Sequence, residues 1–92
     1  MYFKTTITEI NGEQEYSSHY LIIADNYEQA LEKARTMASQ WYGEADGTYG
    51  KYDEEEDDWS FFGGEIIVTA DDPTETTLED FLEHIKRLYV IE

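Results

Sequence analysis

Carboxylates are the reactive groups this chain holds in quantity. Asp53, Glu54, Glu55, Glu56, Asp57 and Asp58 run unbroken, with Glu44 and Asp46 shortly before them. Between Gly43 and Asp58, eight acids face a single base, Lys51. Such groups serve general acid–base catalysis, hard-cation binding or charge recognition. Catalysis needs two carboxyls in a cleft, with pKa values driven apart by burial. Six consecutive acids are solvated instead, and no Gly-rich phosphate loop accompanies them, so no catalytic residue is assigned and the chain reads as a non-enzyme. Calcium needs alternating oxygen ligands around a glycine turn. Asp46-Gly47 matches one corner of such a loop, but Tyr42 stands where the first Asp belongs and Asp53 where the closing Glu belongs. No metal ligand is assigned and no cofactor is implied. His19 and His84 lack the further soft ligands zinc requires. Both read as surface residues, His84 on the outer side of a helix four residues after Asp80.

Charge recognition is what remains. Tyr42, Tyr49 and Tyr52 precede the acid run, and Trp59, Phe61 and Phe62 follow it. Acidic disordered tails are poor in aromatics because they bury nothing. Here the charge is fastened on both sides to residues that favour burial, so the run is expected to be an anchored surface. Tyrosines beside exposed acids resemble interface anchors. The expected partner-binding set is therefore Glu44, Asp46, Tyr49, Tyr52, Asp53, Glu54, Glu55, Glu56, Asp57 and Asp58. A solubilising loop, or a guard against strand-edge pairing, is the plainer alternative. Against it, the stretch from Gly43 to Asp58 carries -7 of the formal -16, and -9 remains elsewhere. Acids recur at Glu9, Glu13 and Glu15, at Asp71, Asp72 and Glu75, and at Glu79, Asp80 and Glu83. Neighbouring carboxylates lie about 5–6 Å apart on a helix and about 6.6 Å apart on alternate strand positions. Phosphate charge recurs along duplex DNA on a similar scale.

The elements that must position these groups read as follows. Tyr2 to Ile10 and Glu13 to Ala24 are strands joined at Asn11-Gly12, a two-residue hairpin signal. That turn pairs Ile7 with Tyr16 and Phe3 with Tyr20, and gathers Phe3, Ile7, Tyr16, Tyr20 and Ile22 on one face. Asp25-Asn26-Tyr27-Glu28 has the form of a capping box. It opens a helix to about Tyr42, stopped at Gly43. The apolar stripe of that helix is Tyr27, Leu31, Ala34, Ala38 and Trp41, widened by Ala30 and Met37, with Leu31, Ala34, Ala38 and Trp41 expected on the sheet. Thr48 to Asp53 is a weak strand, interrupted by Gly50. Trp59 to Phe62 and Glu65 to Ala70 form a hairpin about Gly63-Gly64, or one strand with a bulge. The hairpin register pairs Phe61 with Ile66 and Trp59 with Val68. Thr76 to Glu79 offers a second capping box, and Leu78, Phe81, Leu82, Ile85, Leu88 and Tyr89 form a helical stripe. Val90 and Ile91 are expected to pack on what that helix leaves. The expectation is one α+β domain over residues 1–92: a four-stranded, mostly antiparallel sheet in the order ββαββα, with both helices on one face.

Size and composition bound the partners. A chain of 92 residues with 40% hydrophobic and 15% aromatic content suffices for one modest core. Twenty-two acids against 6 bases far exceeds the net charge of about 2–8 usual for a soluble small domain. Direct nucleic-acid or anionic-membrane binding is disfavoured, and a basic protein surface is favoured. There is no cysteine, hence no disulfide or thiolate site. No apolar run approaches a membrane span and no leader is recognisable, so a cytoplasmic protein is expected. In size, acidity, lack of cysteine and aromatic-flanked acid runs, the chain resembles the small phage and mobile-element inhibitors that mimic nucleic acid, the anti-CRISPR and anti-restriction proteins. The resemblance implies an inhibitor whose carboxylates occupy a basic DNA- or RNA-binding site on a target, in host cytoplasm if phage-encoded. The alternatives are an adaptor module binding through its outer sheet face, or a cation-binding module.

Overall fold

The strand β1 (Tyr2–Asn11) is the one on which the other strands assemble. In a computed structural model the described residues are 1–42 and 50–89, Tyr89 through its backbone alone. One edge of β1 pairs along its length with β2 (Gln14–Ile23). The other edge is shared: β5 (Ile66–Ala70) pairs with Ile7 to Asn11, and β6 (Thr74–Thr76) pairs with Tyr2 to Lys4. Between them Thr5 Oγ1 donates to the Asp71 carbonyl at 2.6 Å, and the Asp71 N–H donates to the Thr6 carbonyl at 2.9 Å. β5 continues through β4 (Asp58–Phe61) to β3 (Lys51–Asp53), giving the order β2-β1-β5-β4-β3 with β6 beside β1. Two helices, α1 (Tyr27–Ser39) and α2 (Leu78–Tyr89), complete an α+β fold.

Six antiparallel strands replace the expected four, and the chain order is ββαββββα. The two strands beyond those four, β3 and β6, are three residues each, short enough that a period of two left a weak signal for β3 and none for β6. Of the weak strand expected over 48–53, the part from Lys51 is formed, and 48–49 lie outside the described residues. In the first hairpin the turn is Gly12-Glu13, with φ +63° at Gly12, and Asn11 pairs with Gln14. Phe3 accordingly faces Ile22 and Thr5 faces Tyr20. That displaces the expected register by two, which returns every side chain to its own face. Phe3, Ile7 and Ile22 are buried, whereas Tyr16 shares their face near the turn and stays exposed. In the second hairpin Trp59 pairs with Val68 and Phe61 with Ile66, as the apolar pattern requires, and all four are buried. A 3₁₀ turn, Phe62–Gly64, joins the strands, so the glycines form a connection, not a bulge.

Both helices start one residue later than the capping patterns suggest. Asn26 Oδ1 accepts from the Gln29 N–H at 2.9 Å, while Gln29 Oε1 accepts from the Asp25 N–H at 3.0 Å. This reciprocal bonding at Asn26 and Gln29 displaces the Asp25–Glu28 alternative. Thr77 Oγ1 likewise accepts from the Asp80 N–H at 3.1 Å. α1 ends at Ser39, with Gln40 as its cap, and the expected stop at Gly43 lies outside the described residues. Its buried stripe is Ala30, Ala34 and Ala38. Small side chains at i, i+4 and i+8 let the helix backbone approach the sheet, and Leu31, Met37 and Trp41 flank that seam half-buried.

The helices lie on opposite faces of the sheet, not on one. α1 covers the face of Phe3, Ile7, Ile22, Ile66 and Val68. α2 lies on the other, where the His84 ring meets the His19 ring edge-on at 5.3 Å. The apolar stripe of α2 is split as a result. Phe81 and Ile85 are half-covered, while Leu78, Leu82 and Leu88 are exposed. Val90, Ile91 and the side chain of Tyr89 lie outside the described residues.

Gly50 is where two segments come closest. Its N–H donates to the Ser39 carbonyl at 2.9 Å. A Cβ there would stand 2.6 Å from Phe61 Cζ and 2.8 Å from Trp59 Cβ. Replacing Gly50 with Ala is therefore expected to cost about 1–3 kcal/mol, as overpacking does. Ile7→Ala, at a fully buried position, should cost about 2–5 kcal/mol, and Leu31→Ala less than that range. Urea unfolding of the three variants checks the order.

Candidate partner-binding surface

The acid run folds as the tip of a hairpin. β3 and β4 pair Lys51 with Ser60, Tyr52 with Trp59 and Asp53 with Asp58, so Glu54 to Asp57 form the turn. Two of the acids build that turn. Asp53 Oδ1 accepts from the N–H groups of Glu55 at 2.9 Å and Glu56 at 3.3 Å, closing the loop with a side-chain acceptor as Asp does in tight turns. Asp57 holds φ at +52°, a left-handed conformation that Asp enters more readily than most residues. Glu54, Glu55 and Glu56 are left exposed at the tip.

A clamp from α1 fixes this tip to the body of the protein. Arg35 Nη1 donates to Asp57 Oδ1 at 2.8 Å, and the Tyr52 hydroxyl donates to the same oxygen at 2.8 Å. The Arg35 guanidinium carbon lies 5.0 Å from the centre of the Tyr52 ring and 4.9 Å from that of Trp59. Those rings are themselves 5.0 Å apart. A planar, weakly hydrated cation over two aromatic faces and beside a carboxylate suits guanidinium better than ammonium. The hydrogen bond to Arg35, then that of Tyr52, holds the Asp57 carboxyl below its ordinary value, and the same pairing raises Arg35. Asp58 moves the other way, raised first by desolvation and then by the charges of Asp53, Glu56 and Asp57.

The expected site residues divide accordingly. Glu44, Asp46 and Tyr49 lie outside the described residues. Tyr52 is engaged within its own chain through both ring and hydroxyl and so supports the tip, while the residue stays 39% exposed. Asp53 and Asp57 build the turn, Asp58 is half-buried, and Glu54, Glu55 and Glu56 form the presented row. Sequence reasoning missed Arg35, and with it Glu28 and Glu32. These three line a shallow groove of about 400 Å³ with Leu31, Thr36, Ser39 and Trp59. The spacing of Glu28, Glu32 and Arg35 along one flank of α1 was a visible signal, indistinguishable from an ordinary polar face until Asp57 arrived opposite it.

Two expectations need correcting. Glu9 was counted with the surface acids but lies on the core side of β1, half-buried, where it accepts from Trp41 Nε1 at 3.0 Å and from the Tyr42 hydroxyl. Burial, and then Glu9, push the Tyr42 hydroxyl up to about 12. His84 faces the sheet against His19, whose Nδ1 lies 3.0 Å from Thr6 Oγ1, and not outward from α2. Among the described residues no group of three or more His, Cys, Asp or Glu could hold a metal ion, and no helix is long and apolar enough to cross a membrane. No family model, curated protein or solved structure matches this chain.

The opposed shifts of Asp57 and Asp58 give the acid limb of stability two signs. The lowered carboxyl of Asp57 stabilises the fold above the ordinary value of 3.8, and that contribution is lost as pH falls through its depressed folded value. Ionised Asp58 costs stability, and acidification through its raised folded value, above 3.8, relieves that cost. Asp57→Asn should thus lose less stability than the parent below pH 3.8. Asp58→Asn should gain at neutral pH and show no relief on acidification. Both effects should be under about 1 kcal/mol, because solvent screens the groups. Urea midpoints followed against pH measure both.

Proposed function

We propose that this chain is a non-enzymatic inhibitor that mimics nucleic acid. Its carboxylates occupy a basic DNA- or RNA-binding site on another protein, such as a CRISPR effector or a restriction enzyme, in the cytoplasm where such proteins act. One observation carries the reading: the acid tip is held at both ends, by Asp53 on its backbone amides and by Asp57 in the Arg35–Tyr52–Trp59 clamp. A charged loop that serves solubility alone gains nothing from being fixed. A binding surface does, since ordering done in the free protein is not charged against affinity. Glu28 and Glu32 on α1 extend the anionic surface past the clamp. The formal -16 would speed encounter with a basic target and keep nucleic acid and anionic membranes away.

Because Asp53 and Asp57 are structural, the informative variant is Glu54, Glu55 and Glu56 to Gln together. Its fold should persist, with a small gain from relieved repulsion. Displacement of DNA or RNA from a purified basic effector should weaken, through slower association and a shallower salt dependence. Adding Glu28→Gln and Glu32→Gln should deepen the loss. Unchanged displacement and unchanged salt dependence in the five-fold variant would end the mimic reading and leave the hairpin a solubilising loop.

A further inference from the structure

We infer that α2 is a self-association helix, through which two copies of this chain pair antiparallel about a two-fold axis. None of its described side chains is buried, and Leu78, Leu82 and Leu88 stand 44%, 58% and 49% exposed. A helix of 12 residues is marginal in water unless packing of its apolar face supports it. Here its own sheet covers only part of that face. On the sheet face that bears α2, Tyr2 and Ile23, cross-strand neighbours beside β6, are exposed as well.

The charges on α2 select the occupant. Its first turn is acidic, with Glu79 and Asp80, and its last turn is basic, with Lys86 and Arg87. Two of the 6 bases in the whole chain are thus side by side in one turn. A uniformly basic partner would meet Lys86 and Arg87 with like charge, and a uniformly acidic one would meet Glu79 and Asp80. A second α2 running the opposite way matches both ends, and a two-fold axis repeats the match, with Glu83 between them near the axis facing its own copy as the one like-charge contact. Glu79 and Lys86 are seven residues apart, two helical turns, and so share one flank beside Leu78 and Leu82, while Leu88 lies about 120° round the helix from Leu82. Lys86 already has an interaction within its own chain, and the cross-axis contact would add to it. The inference stands apart from the inhibitor reading, which rests on the hairpin tip and α1 on the other side of the sheet.

Sedimentation equilibrium of the full chain, over protein concentration and salt, tests it. The mass should rise above 10.8 kDa toward twice that value. Association should tighten as salt screens the repulsion between copies, the opposite sign to binding of a basic target. Leu82→Gln, which leaves charge unaltered at an exposed position, should weaken association by about tenfold or more with an unchanged circular dichroism spectrum. Glu79→Lys and Lys86→Glu should each self-associate poorly, and an equimolar mixture should recover, because only the mixed pair opposes unlike charges at both contacts. A mass fixed at 10.8 kDa under all conditions, association indifferent to Leu82→Gln, or a mixture that fails to recover would each overturn the pairing.

Discussion

The Arg35 guanidinium joins the acid tip of one element to the flank of another. On one side is α1, which settles on the sheet through alanines. On the other is the β3–β4 hairpin, whose tip carries six consecutive acids. Repulsion among those acids favours an open loop. A buried hydrophobic contact could not oppose it at the tip, because the tip is solvated. One cation does, since it meets the Asp57 carboxylate, the Tyr52 ring and the Trp59 ring together. Trp59 in turn belongs to the core with Ile7, Phe61, Ile66 and Val68. The charge surface is thereby tied, through one side chain, to the packed interior.

How far the fold was legible depended on element length and on burial. α1, α2, the long hairpin and the Trp59–Val68 register all leave apolar periods of several residues, and these were readable. β3 and β6 do not: β3 left only a weak signal over 48–53, and β6 exists because Pro73 breaks the strand that β5 would have continued while β1 still offers free edge at Tyr2 to Lys4. The placement of α2 was illegible for another reason. Its stripe looked complete as a core face, yet the sheet face it reaches bears Lys4, Thr6 and His19, which give a leucine row little to pack on.

At the candidate site the acids were plain from composition and their roles were not. Asp53 and Asp57 look the same in sequence as Glu54, Glu55 and Glu56, and only backbone geometry separates acids that build a turn from acids that are presented. Tyr52 is a similar case: an aromatic beside acids suits an anchor for a partner or a support for a loop, and only the contact with Arg35 makes the support role visible. Glu9 shows the converse error. Formal charge counts every carboxylate equally, while the donors Trp41 and Tyr42 withdraw this one into the structure.

The shared edge of β1 bears on how the chain is made. β1 and β2 are complete once the ribosome has delivered the first hairpin, but the partner of Ile7 is Ala70 and the Thr5 hydroxyl waits for Asp71, 66 residues later. At the usual pace of translation that interval lasts several seconds. Until β5 and β6 arrive, that edge of β1 has unpaired amides and carbonyls, a template for pairing with another chain. The acid run is synthesised within that interval, ahead of β5. While that edge is still open, the segment leading to its partner is therefore strongly charged, which disfavours edge-to-edge pairing between copies.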